Sequence, residues 1–266
     1  MRPAPPGSFA GSSPIVNTCT MTRAVPAEMT RRELTWLSAL AVLVLVHVAP
    51  AWGQTFYVLP EPVHPVPGDE VHVLLVSGTP FGDGALPAPD PLPRLDRLWR
   101  AGRATLKTDA DGMAAFTAGE AGVQLVAAAP AGTSGGASGI ESYAKAIVVV
   151  GRPADSGQIW RSELGQRLEI VPQDDPVALA AKGGRFEAQI LFEREPLAGV
   201  TVVAVLQGDP SGSYRRSATD MTGRVRFDLD RPGRWLVHLA HKSFDAGGEA
   251  RGVLCQSSLL LTAGPQ

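Results

Sequence analysis

The chain has 266 residues, of which 29 are glycine and 23 proline, so many turns and few long helices are expected. Charged residues make up 19% and the formal net charge is −2, which leaves no basic field for nucleic acid or anionic lipid. Of the two cysteines, Cys19 lies in a segment read below as removed, so Cys255 stands alone and no intramolecular disulfide is expected.

Residues 1–53 read as a disordered extension followed by a signal peptide. The first 28 residues are rich in Pro, Ser and Thr without an apolar period, which leaves Met1, Met21 and Met29 all open as the start. From Met29, a basic Thr30-Arg31-Arg32 precedes an apolar run from Leu34 to Val48. Ala51 and Gly53 then supply small residues at −3 and −1 for cleavage before Gln54. The run is about fifteen residues, short of the roughly twenty that span a bilayer, so an uncleaved membrane anchor is the weaker alternative. Sec and twin-arginine export both fit. A periplasmic or secreted location follows, with membrane contact only through the leader if it is retained.

Beyond the leader, Val71–Val76 and Ala144–Val150 read as strands, and Leu92–Arg100 is the one stretch with a helical period. Residues 152–165 read as a polar linker. Strands are then expected at Arg167–Val171, Phe186–Phe192, Val200–Leu206 and Ser258–Thr262. Across this pattern runs an internal repeat. Thr108-Asp109, Gly112, Phe116, Gly122, Leu125-Val126 and Ala129 recur in order as Thr219-Asp220, Gly223, Phe227, Gly233, Leu236-Val237 and Ala240. In each copy Thr-Asp-x-x-Gly makes a turn, because Asp bonds the backbone ahead of it and Gly accepts positive φ. Val225 and Phe227 alternate with Arg224, Arg226 and Asp228, as on a half-buried strand. The expected fold is all-β: two tandem Ig-like or transthyretin-like β-sandwich domains at 54–151 and 166–266 after a signal peptide.

The order of these signals carries a resemblance. Glu195-Pro196-Leu197-Ala198-Gly199-Val200, Thr219-Asp220-x-x-Gly223 and Pro232-Gly233-Arg234-Trp235 resemble the punctuation of transthyretin-like and carboxypeptidase-regulatory-like sandwiches. With Phe56-Tyr57-x-x-Pro60, Pro67-Gly68-Asp69-Glu70-Val71, Glu141-Ser142-Tyr143-Ala144-Lys145 and the 165–172 stretch, the chain resembles the bacterial periplasmic family labelled domain of unknown function 4198. That resemblance implies a link to nickel or cobalt uptake, with a transition-metal ion or an envelope transport component as partner. Family members often begin the mature chain with Ala-His-Asp-Phe-Trp. Here Gly53-Gln54-Thr55-Phe56-Tyr57 keeps the aromatic pair and lacks the histidine, which weakens the metal reading.

The candidate metal ligands are His64, His72, His238, His241 and Glu70. Glu70 and His72 share one face of a predicted strand, whereas His238 and His241, three apart, fall on opposite faces. Cys255 reads as a small apolar strand residue, and a reactive role requires a partner for which His241 is the nearest histidine in sequence. Asp109-Ala110-Asp111-Gly112 has too few oxygens for calcium and reads as a turn. Asp174-Asp175-Pro176 reads as the start of a loop. The serines of 134–139 lack a base and a Gly-x-Ser-x-Gly frame, and Lys145 reads as a solvated strand lysine. No catalytic set emerges. The expected function is a non-enzymatic binding or accessory protein of the envelope linked to transition-metal uptake. The alternative is a structural or adhesive module that holds a protein partner or a glycan.

Overall fold

The computed structural model describes residues 55–82, 91–131, 139–209, 211, 214–243 and 252–265. The leader, its cleavage point and residues 134–138 lie outside the described residues. The first half runs β1 (Thr55–Glu61), β2 (Glu70–Gly78), β3 (Arg94–Trp99), β4 (Gly102–Leu106), β5 (Met113–Thr117), β6 (Gly122–Ala129) and β7 (Ile140–Val150). The second runs β8 (Leu168–Pro172), helix α1 (Pro176–Lys182), β9 (Gly184–Phe192), the two-residue β10 (Glu195–Pro196), β11 (Thr201–Leu206), β12 (Tyr214–Ala218), β13 (Arg224–Leu229), β14 (Gly233–Ser243) and β15 (Val253–Ala263). The fold is all-β, built of immunoglobulin-like sandwiches.

Each half packs an outer sheet against four strands of a shared one. β1-β2-β5 form one outer sheet, and β8, β9 and β13, with the two-residue β10 on β9, form the other. The remaining strands make a single eight-stranded sheet in the order β12-β11-β14-β15-β7-β6-β3-β4. Its middle pair, β15 and β7, is parallel, with Leu254 opposite Ile140 and Leu260 opposite Ala146. The strand order reads the same from either edge, so the halves are related by a rotation about an axis along the strands. That rotation puts the two outer sheets on opposite faces of the shared sheet.

The repeat accounts for the match. Asp109 Oδ1 accepts from the backbone N–H of Asp111 and Met113, and Asp220 Oδ1 accepts from Thr222 and Arg224, so both copies use the carboxylate to close the same turn. The glycines sit at φ 78° (Gly112) and 71° (Gly223), where a Cβ is strained. β5 and β13 then alternate, burying Ala114 and Phe116 in one and Val225, Phe227 and Leu229 in the other, and the outward residues of β13 are charged.

The halves differ from freely jointed sandwiches in how much they cover each other. Trp52–Gln266 forms one compact unit. One core layer joins Leu125, Ile147 and Val149 of the first half to Phe186, Trp235 and Leu259 of the second. The other joins Phe56, Val58 and Phe116 to Leu236 and Leu260. β7 and β15 are therefore covered on both faces and are buried along most of their length rather than at alternate residues. Nor is 152–165 a bare polar connection. Ile159–Arg161 form a single 3-10 turn that seats Trp160, 4% exposed, in the shared core, with Ile159 and Leu164 packed alongside.

Two local expectations are corrected. The helical period over 92–100 belongs to strand β3. Leu95 and Leu98, three apart, point to opposite faces, and both are buried because the central sheet is covered on both sides there. Asp174-Asp175-Pro176 begins a helix, not a loop. Asp175 caps α1 by accepting from Val177 N–H at 2.8 Å, Pro176 takes the first helical position, and Gly183 at φ 65° ends it.

Candidate functional site

Of the candidate metal ligands, Glu70 and His72 meet each other. Glu70 and His72 lie on the outward face of β2, with Nε2 and Oε2 3.7 Å apart and both side chains more than half exposed. His64 sits in the loop after β1, where burial and the Arg234 guanidinium lower its pKa. His238 faces the first outer sheet, with Nδ1 3.5 Å from Thr55 Oγ1 and Nε2 buried without a hydrogen-bond partner. Burial pushes its pKa down to about 4. His241 lies on the opposite face, edge-on to Phe192 at 4.8 Å between ring centroids. Among the described residues no three His, Cys, Asp or Glu side chains converge as a metal site.

Strand register assembles a second polar group that sequence spacing does not show. Glu141, Cys255 and His241 are successive partners across β7, β15 and β14. The Tyr143 hydroxyl donates to Glu141 Oε2 at 3.0 Å, and Cys255 Sγ lies 3.7 Å from the same oxygen. Arg167 reaches Glu141 at 3.6 Å and Glu193 at 2.9 Å. A depression of about 410 Å³ opens over Glu141, Tyr143 and Arg167. Burial and the Glu141 carboxylate push the Cys255 thiol up to about 11, so it stays protonated and weakly nucleophilic at neutral pH. The histidine that sequence proximity singled out, His241, lies opposite Cys255 across the β14–β15 ladder.

Lys145 is not solvated. On β7, a strand covered on both faces, it is 1% exposed and its Nζ lies 2.5 Å from Glu169 Oε1. Nζ also donates to the Ile170 carbonyl at 3.2 Å. Glu169 in turn accepts from the backbone N–H groups of Leu164, Gly165 and Gln166. Burial lowers the Lys145 pKa while the Glu169 carboxylate opposes that shift. All these groups are turned inward, so the arrangement ties β7 to β8 and the connecting segment.

A groove of about 740 Å³ lies at the far end of the central sheet, between β3, the β5–β6 turn and residues 153–159. Arg97 and Trp99 project from one side of β3. The Arg97 guanidinium lies over the Trp99 ring at 4.7 Å and the Phe116 ring at 4.2 Å, and its Nε donates to Gln124 Oε1 at 2.8 Å. Glu120 and Asp155 stand at the rim, with Asp155 Oδ1 accepting from Gly157 N–H. Reading β3 as helical scatters these residues over several faces. The alternation of Leu95, Arg97 and Trp99 with Asp96 and Leu98 is the signal that would have placed them.

The fold and its surfaces define an all-β protein of two immunoglobulin-like sandwiches fused through one sheet, with an open groove at one end. Residues 129–243, from the last residue of β6 to the last of β14, match the family described as Domain of unknown function (DUF4198). No curated protein matches the sequence. Among solved structures the chain is similar to the D0-D1 domain of intimin at 13% identity and a TM-score of 0.24, covering 79% of this chain and 97% of that one. It is similar to the two fibronectin type III domain segment of chicken tenascin at 11% identity and 0.24, covering 79% and 100%. It is also similar to the Escherichia coli adhesin FdeC at 17% identity and 0.23, covering 79% of this chain and 63% of that one.

Proposed function

We propose that this protein is an exported, non-enzymatic binding module of the bacterial envelope that holds a protein or glycan partner. The observation that carries the reading is the groove beside Arg97 and Trp99, which combines aromatic and polar walls in a size range suited to a ligand. The basic start, apolar centre and small residues of 29–53 support export. The titratable cluster around Glu141 and the buried Lys145 are both engaged internally, which favours a structural task for them over chemistry.

The test is binding of the purified protein to a panel of envelope glycans and peptides, with Trp99→Ala and His72→Ala compared against the unaltered chain. A ligand retained by the protein and by His72→Ala but lost by Trp99→Ala supports the reading. A ligand indifferent to Trp99 overturns it.

A second reading, transition-metal binding linked to nickel or cobalt uptake, is favoured by one observation, the Glu70–His72 pair. Two exposed ligands make a weak site unless solvent or another chain completes it. Isothermal titration of metal-stripped protein with nickel, cobalt, zinc and copper tests it: micromolar binding that disappears in His72→Ala supports metal handling, and no binding removes it.

A further inference from the structure

Many guanidiniums of the sandwiches meet a carboxylate, whereas Arg97 and Arg161 each rest on an aromatic ring and a glutamine; of these two, Arg97 lines the groove. Arg94 and Arg103 both reach Asp96, Arg224 and Arg226 share Glu187, Arg231 pairs with Asp209, and Arg234 with Glu61. Arg97 is held just as firmly, by two aromatic rings and Gln124, yet no carboxylate among the described residues pairs with it. Its Nη groups make no hydrogen bond there. Gln124 is only 3% exposed, so the Nε contact is fixed from below.

A planar cation held by ring faces and one Nε bond keeps its outer N–H groups for a ligand, and that fork matches a carboxylate. Gly119 leaves the approach open. A Cβ at that position would stand 3.7 Å from Nη2, so any larger side chain there would grow over the guanidinium edge. Burial without a compensating anion also lowers the Arg97 pKa, the mark of a cation poorly served by its own protein.

We infer that the groove is a receptor for a carboxylate-bearing ligand, with Arg97 as the anion-binding residue. This rests on the reading that the groove is the protein's binding surface. Trp99 and Phe116 fix the plane of the guanidinium, Gln124 fixes its rotation, and Gly119 supplies the opening. The carboxylate belongs either to an acidic sugar or to a peptide C-terminus, two sources of the same chemistry.

The experiment follows the Arg97 Nε–Hε signal by NMR in the full chain labelled with nitrogen-15 arginine, and measures affinity in parallel. The probes are two matched pairs: N-acetylmuramic acid against N-acetylglucosamine, and acetyl-dialanine against its amide. The expected result is that the charged member of at least one pair moves the Arg97 signal and binds about tenfold more tightly than its neutral partner, the effect of a charge-assisted hydrogen-bonded pair. Whichever pair responds identifies the source. Arg97→Lys is expected to retain part of the difference. Arg97→Met is expected to abolish it, and so is Gly119→Val, which leaves the stack intact. Equal binding of charged and neutral probes through Trp99 overturns the carboxylate assignment while leaving the groove as the binding surface. A preference for the charged probe that survives in Arg97→Met also overturns it. No binding by any probe, with the Arg97 signal unmoved, overturns both.

Discussion

Lys145 of β7 and Glu169 of β8 form an ion pair at 2.5 Å with both side chains 1% exposed, and the pair bridges the two sandwiches. Taking one partner from such a pair leaves a buried charge without compensation, a loss of about 3–5 kcal/mol. Glu169 also serves three backbone N–H groups, so its removal strands more than Lys145. Lys145→Met is expected to lower stability by about 3 kcal/mol and Glu169→Ala by more. Lys145→Met/Glu169→Leu is not expected to recover the loss, because the N–H groups of 164–166 stay unpaired. Urea unfolding checks the series. A Glu169→Ala variant milder than Lys145→Met contradicts it.

His238 sets a pH dependence. Its folded pKa is depressed to about 4 by burial, against an ordinary value of 6.5. Between these values the unfolded chain binds a proton that the folded chain refuses, so stability rises with pH across that window and is lost as pH falls below about 6.5. Lowering pH from 7 to 4.5 is expected to cost roughly 2–3 kcal/mol from this group alone. His238→Leu should flatten that part of the curve in unfolding measurements at both pH values. An unchanged slope assigns the acid sensitivity elsewhere.

Gly223 and Gly199 offer a paired test of the turn chemistry. Both have φ near 70°. A Cβ on Gly223 would stand 2.7 Å from the Ile190 carbonyl oxygen and 3.0 Å from Leu197 N, whereas on Gly199 it meets nothing within 4 Å. Gly199→Ala is expected to cost about 1–2 kcal/mol from backbone strain alone. Gly223→Ala should cost distinctly more, since Ile190 donates to the Gly223 carbonyl and must move with it. Thermal melts of the two variants decide, and equal losses would mean that the β9–β10 hairpin yields freely.

The shared sheet predicts that neither half stands alone. A fragment of residues 54–151 exposes Leu125, Ile147 and Val149, which the second half and Trp160 cover. Such an apolar face on a two-layer sandwich favours aggregation. The fragment is expected to lack a cooperative thermal transition, and the whole chain carrying Trp160→Ala to lose about 3–5 kcal/mol. A fragment that melts cooperatively near the temperature of the whole chain would show that the covering is incidental.

Much of the fold was legible in the sequence because it is local. Thr-Asp-x-x-Gly turns, alternation in 224–229 and the 108–129 and 219–240 repeat depend on bonds between near neighbours, and each appears where expected. What the tertiary structure alone decided is which faces are covered. The parallel pairing of β7 with β15 buries both sides of each strand, which turned Lys145 from a surface residue into a buried clamp and made Leu95 and Leu98 mimic a helix. It also set Glu141 beside Cys255 and His241, which no spacing along the chain relates. Arg97 and Trp99 became a site only when β3 crossed Phe116 and Gln124, residues of two other strands. Local turns are written in consecutive residues, whereas burial and site geometry depend on pairing between separate strands, such as β3 with β6 and β7 with β15, and that pairing is chosen by the whole core at once.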